Sequence, residues 1–284
     1  MKKFILSFFL LSLLPSAKLI SQVAFPDPSP LQTISQNFGM SAVEITYSRP
    51  GMKGRKMVGY TEPYDSVWRT GANAPTRIRF FSPVEIKGNK IDSGTYVLYT
   101  IPTAKDWTVI INKGVTNWGS DQYKRSEDVC RFTLTPERKR KPVETLAFQF
   151  ENVKGSSCDI TLQWEDWMIT IPVIAPIRED LRKQIEANLK SDKPGYWLAA
   201  QFYYEYDSNN AKALEMINAA IKANEAAGRK PYWQYHYKAR ILKDLGRKQE
   251  AMDAAMLSSK HAKEHGNRNN YIRLSEDLIS ALKK

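Results

Sequence analysis

Five side chains between residues 49 and 73 carry the most directional chemistry of this 284-residue chain: Arg49, Arg55, Trp68, Arg69 and Asn73, in the run RPGMKGRKMVGYTEPYDSVWRTGAN. An arginine stays protonated and presents a planar fork of donors, so it clamps carboxylates, phosphates or sulfates rather than moving protons. Trp68 beside Arg69 offers a flat apolar face for a sugar or planar group, and the Asn73 amide adds donors and an acceptor. Binding of an anionic or glycan-like ligand is the chemistry these residues suit. They suit a second role equally: an arginine that donates to loop carbonyls pins a long connection to its scaffold, with Gly51, Gly54, Gly59 and Gly71 supplying the turns.

Other chemistries have less support. All three histidines, His236, His261 and His265, fall in the last third of the chain, so the first 174 residues hold no imidazole for a Ser-His-Asp triad or a His-rich zinc site. His261 and His265 stand four apart, but without the HExxH pattern, and a solvated helix end, where a cationic His complements the dipole, explains them. No metal and no cofactor is expected. Carboxylates such as Glu62, Asp65, Asp92, Asp121 and Glu165 could form a hydrolase pair, the alternative to binding, although Asp65 and Asp92 sit in turn-like contexts. Cys130 and Cys158 lie in strand-like runs, and an exported protein could join them in one disulfide; two separate buried thiols are the other possibility. The run PERKRKP, residues 136–142, reads as a solvated hairpin tip.

These residues need elements to hold them. From about residue 40 to residue 174, short alternating apolar runs bounded by Gly, Pro, Asn and Asp predict strands: AVEITYS, TRIRFFS, TYVLYTI, WTVIIN, VCRFTLT, TLAFQF, CDITLQW and WMITIPV. Gly88-Asn89 marks a tight hairpin between VEIK and KID. No long amphipathic helix interrupts this region, so an antiparallel β-sandwich is expected over residues 22–174. After Pro176, Leu181, Ile185 and Leu189 recur every four residues, and aromatic and Ala-rich segments alternate to the end, with Gly228, Gly246 and Gly266 placed as helix C-caps. Trp197 and Trp233 stand 36 residues apart, close to the tetratricopeptide period of about 34. Residues 175–284 are therefore expected to be a tetratricopeptide-like helical domain, giving an α+β multidomain chain whose helices offer a face to a protein partner.

The N-terminus, MKKFILSFFLLSLLPSAKLISQ, has the charged, apolar and small-residue order of a signal peptide over residues 1–21, and its apolar run is too short for a membrane span. Export to the periplasm or cell exterior follows, with no transmembrane segment in the mature chain. The formal charge of +12 falls to +9 when Lys2, Lys3 and Lys18 leave with the leader. That surplus favours acidic partners such as anionic glycans; nucleic acid is not expected outside the cell.

The segments SRPGMKGRKMVG (Ser48 to Gly59), PYDSVWRTGAN (Pro63 to Asn73), SGTYVLYTIP, WTVIIN and LQWEDWMITIPV together resemble the DUF2911 family, exported proteins of Bacteroidetes-type bacteria without an assigned function. The resemblance covers roughly residues 28–174. It implies an exported β domain, a helical region behind it, and no catalytic residue.

Overall fold

The computed structural model describes residues 25–265 and 270–284; the expected leader and Gly266 lie outside the described residues. Ten strands form two antiparallel sheets. The larger has the order β1 (Leu31–Phe38), β2 (Ser41–Ser48), β3 (Ala72–Phe80), β6 (Gly94–Pro102), β7 (Trp107–Asn112), β8 (Asp128–Leu134). The smaller runs β5 (Asn89–Ile91), β4 (Val84–Ile86), β10 (Ser157–Ile174), β9 (Glu137–Glu151). Alternation decides which way each strand faces: Val43, Ile45 and Tyr47 of β2 point inward with Ile160, Leu162 and Trp164 of β10 from the opposite sheet, and one continuous core joins them.

Several elements differ from the expectation. The turn of the β4–β5 hairpin is Lys87-Gly88, one residue earlier than Gly88-Asn89, because Ile86 pairs with Asn89 and both turn residues take positive φ, 50° and 79°. CDITLQW and WMITIPV are one strand, β10, with irregular pairing around Glu165. PERKRKP is no hairpin tip: Glu137 and Arg138 pair with Met168 and Trp167 along β10, and the Arg138 guanidinium lies 3.8 Å over the Trp167 ring. Cys130 and Cys158 are free and buried, one in each sheet, so the possible disulfide between them is not formed. Burial pushes both thiols up to about 11.

The helical part follows the strands. It comprises α1 (Arg178–Asn188), α2 (Tyr196–Gln201) running into a π-helical turn (Phe202–Tyr206), α3 (Asn210–Ala226), α4 (Tyr232–Asp244), α5 (Lys248–Glu264) and α6 (Tyr271–Lys283). From α2 on, each helix packs on the next. Small residues make the close approach possible: Ala213 and Ala220 of α3 meet Ala199, Ala200 and Tyr203, while Ala251, Ala254 and Ala255 of α5 pack against Ala239 and Leu242 of α4. Gly228 and Gly246 end their helices at φ 71° and 74°, as their positions suggested. His261 is buried with its ring edge-on to Tyr235, rather than solvated, and burial holds its pKa below the usual imidazole value. No described helix is long and apolar enough to cross a membrane.

Candidate functional site

The connection from β2 to β3, residues 49–71, holds nearly every directional side chain of the opening motif. It is laid across one end of the sandwich as a strap. Its first half is tied to the smaller sheet: the Met52 amide donates to the Glu144 carbonyl, the Lys53 amide to Glu144 Oε1, and the Leu146 amide to the Pro50 carbonyl. Arg49 donates through Nε to the Leu146 carbonyl at 3.1 Å. Arg55, exposed, folds back on its own turn and donates to the carbonyls of Met52 and Gly51.

The middle of the strap hangs on a residue that the sequence offered only as one of several carboxylates for a hydrolase pair. Glu165, 8% exposed and at φ 53°, accepts the amides of Met57 at 2.8 Å and Val58 at 2.9 Å. A buried carboxylate is costly unless it is fully hydrogen-bonded, and two backbone donors supply that bonding where the loop has no strand partner. The visible signal was a Glu-Asp pair interrupting an apolar run, LQWEDWMITIPV.

The second half reaches the larger sheet. Trp68 exchanges backbone hydrogen bonds with Thr100 of β6, and its indole is 2% exposed. It stacks on Trp164 at 5.5 Å, meets Trp107 edge-on at 6.1 Å, and donates through Nε1 to the Gly71 carbonyl. The expectation that Trp68 offers a face to a ligand is corrected by this burial: both of its polar and apolar surfaces are spent on the core. Thr70, at φ 54° and fully buried, shares a 3.0 Å hydrogen bond with Thr100, and Thr76 donates to the Thr70 carbonyl. Asn73, at φ 57°, donates to the Ser29 carbonyl and to Ser48 Oγ, both at 3.3 Å.

Arg69 is different. Nη1 donates to the Asn73 carbonyl at 2.7 Å, and among the described residues no other group takes its remaining donors, nor does a carboxylate pair with it within 4 Å. Its charge is nevertheless felt around it. The Glu62 carboxyl is pushed up to about 7, chiefly by burial, with Arg69 pulling the other way. Burial likewise raises the Tyr99 phenol, which accepts from Asn117 and donates to the Gly119 carbonyl. Gly119 keeps this surface open: a Cβ there would stand 3.8 Å from Arg69 Nη1 and would run into Asp121. Immediately before it, Trp118 is 65% exposed.

The structure thus separates the five candidate residues. Arg49, Arg55, Trp68 and Asn73 brace the strap, while Arg69 faces a surface bearing Glu62, Asn117, Gly119 and Asp121. Trp118 was not among the sequence candidates, and Glu62 stood there only as a carboxylate of the alternative hydrolase pair; a Trp between Asn and Gly in a loop was the available signal for Trp118. The next loop inward is a closed network, in which Asp128 accepts from Asn112 and Tyr123 and is ion-paired with Arg131, which donates to the Tyr123 hydroxyl. Every one of those groups is partnered, which marks them as framework. Among the described residues no cluster of three or more His, Cys, Asp or Glu is placed to hold a metal ion. A cleft of about 540 Å³ lies elsewhere, between the β1–β2 turn and helices α1 and α2, and none of the five candidates lines it.

No curated protein and no solved structure matches this chain. The family described as "Protein of unknown function (DUF2911)" matches residues 29–173, from the approach to β1 to the last residue but one of β10, nearly the whole of the two-sheet part. The chain belongs to the DUF2911 family.

Proposed function

We propose that this is an exported cell-envelope protein, periplasmic or extracellular, that binds an anionic, glycan-like ligand without turning it over, on the surface around Arg69. The observation that carries this reading is that, among the described residues, the Arg69 guanidinium makes a single hydrogen bond, on a surface that it shares with Gly119, the residue after the exposed Trp118. A half-buried arginine held by one carbonyl keeps donors aimed outward at low entropic cost, the arrangement that recognises a carboxylate or sulfate. An exposed indole adds a ring face for a sugar. Glu62 makes the site pH-sensitive in a defined direction: ionised, it repels an anion; protonated below about 7, it does not.

The test is a thermal-shift titration with oligogalacturonate, a carboxylate-bearing oligosaccharide. The parent should be stabilised, and more so at pH 6 than at pH 8. Arg69→Ala and Trp118→Ala should melt as the parent does yet lose the shift. Equal shifts in all three proteins would refute this site.

A second reading, a carboxylate-dependent hydrolase, has one observation in its favour: a carboxyl raised to about 7 beside an arginine is suited to general acid work. Release of reducing ends that disappears in Glu62→Gln would establish it. The helical part we read as tetratricopeptide-like and as a place for a protein partner, from the 36-residue offset of Trp197 and Trp233 and the serial packing of its helices.

A further inference from the structure

The cleft between the β1–β2 turn and the helices is a different kind of place from the Arg69 surface. Its volume, about 540 Å³, falls in the usual range for small-molecule sites. One wall is α1, with Leu181 and Ile185; the other is α2 and the π-helical turn, with Leu198 and Phe202; Met40 of the β1–β2 turn stands at the mouth. Leu198 and Met40 are 57% and 69% exposed, so apolar surface is left open to solvent there.

The polar groups of the walls are neutral with one exception. Gln184 and Gln201 both line the cleft, and among the described residues their amides take no protein partner. Glu205 is the one charged lining residue; one of its oxygens accepts from Tyr237 at 2.9 Å, and among the described residues nothing donates to the other. In a chain of net positive charge, this lining contains no Lys, Arg or His. An anionic headgroup would meet a carboxylate with no cation to offset it, whereas an ammonium would find a carboxylate oxygen and two free amide oxygens. The π-helical turn Phe202–Tyr206 supplies Phe202, Glu205 and Tyr206 to the wall together. Such widened turns are uncommon and occur frequently at functional sites.

We propose that this cleft is a binding site for a small amphipathic amine, its apolar body against Leu181, Ile185, Leu198 and Phe202 and its ammonium at the unused oxygen of Glu205. This site is independent of the Arg69 surface.

The probe is N-phenyl-1-naphthylamine, whose fluorescence rises in an apolar site, displaced by octylamine or by octanoate. Binding should saturate with the full-length mature protein, and octylamine should displace the probe at about tenfold lower concentration than octanoate. Glu205→Gln, which can still accept from Tyr237, should erase that difference while leaving probe affinity unchanged. Leu198→Trp, at an exposed position, should abolish probe binding with the melting temperature preserved, and Arg69→Ala should bind as the parent does. Absence of saturable probe binding in the parent, equal displacement by the two head groups, or an undiminished amine preference in Glu205→Gln would each overturn the proposal.

Discussion

At the scale of single residues, the five candidates separate by what their polar atoms already touch. Trp68→Ala should cost about 3–5 kcal/mol in chemical denaturation, because removing a buried indole that stacks on Trp164 and meets Trp107 edge-on leaves a cavity. Arg69→Ala should stay within about 0.5 kcal/mol of the parent, since it gives up one surface hydrogen bond. Its effect should appear in titration instead: removing the opposing charge should move the Glu62 midpoint upward from about 7, read by carboxyl carbon chemical shifts in NMR. The sign for stability follows from the same shift. A carboxyl whose folded pKa is raised from 4.5 to about 7 favours the fold below 4.5, and that contribution is lost as pH rises through about 7. Glu62→Gln should therefore flatten the decline in melting temperature between pH 5 and pH 8. Glu165→Ala should cost about 2–5 kcal/mol, as two amides of the strap lose their acceptor inside the protein.

Elements are where the sequence spoke most clearly, and where its silences have physical causes. Gly39, at φ 61°, lets the β1–β2 turn approach Ala175, whose Cβ would stand 2.6 Å from an added methyl. Gly39→Ala should destabilise by about 1–3 kcal/mol, lowering the melting temperature by several degrees in a scanning experiment. Strands with strict alternation, such as β2, and helices with a four-residue apolar repeat were legible, because one face of each turns inward, buried in β2 and half-buried at Leu181 and Ile185 of α1. β1 escaped notice because it is an edge strand, LQTISQNF, in which only Phe38 is fully buried. β10 was split in two by Glu165 and Asp166: the strap requires Glu165, while Asp166 pairs with Arg138 of β9. The loop was visible as a place of dense chemistry, but burial of Trp68 was not, since nothing in VWRTGAN says which side chain turns inward. Arg69 and Trp68 are neighbours with opposite fates for a reason that lies in the other sheet, at Trp164.

The whole molecule has separate cores: one shared by the two sheets, and others within the helices. A fragment of residues 25–177, which keeps Ala175 and Ile177 against the sheet core, should fold cooperatively on its own, giving a single sigmoidal melt by circular dichroism. The family match, over residues 29–173, falls within this same unit. The positive surplus of the chain acts at this scale too, and oligogalacturonate binding should weaken as salt rises, because exposed charges are screened. The central claim is that residues 49–71 are an ordered strap with one arginine left over. Amide hydrogen exchange of the ligand-free protein tests it most directly. Protection is predicted at Met52, Lys53, Met57, Val58, Glu62 and Trp68, whose amides all donate within the protein; exchange of these amides at the rate of an unstructured peptide would contradict the account.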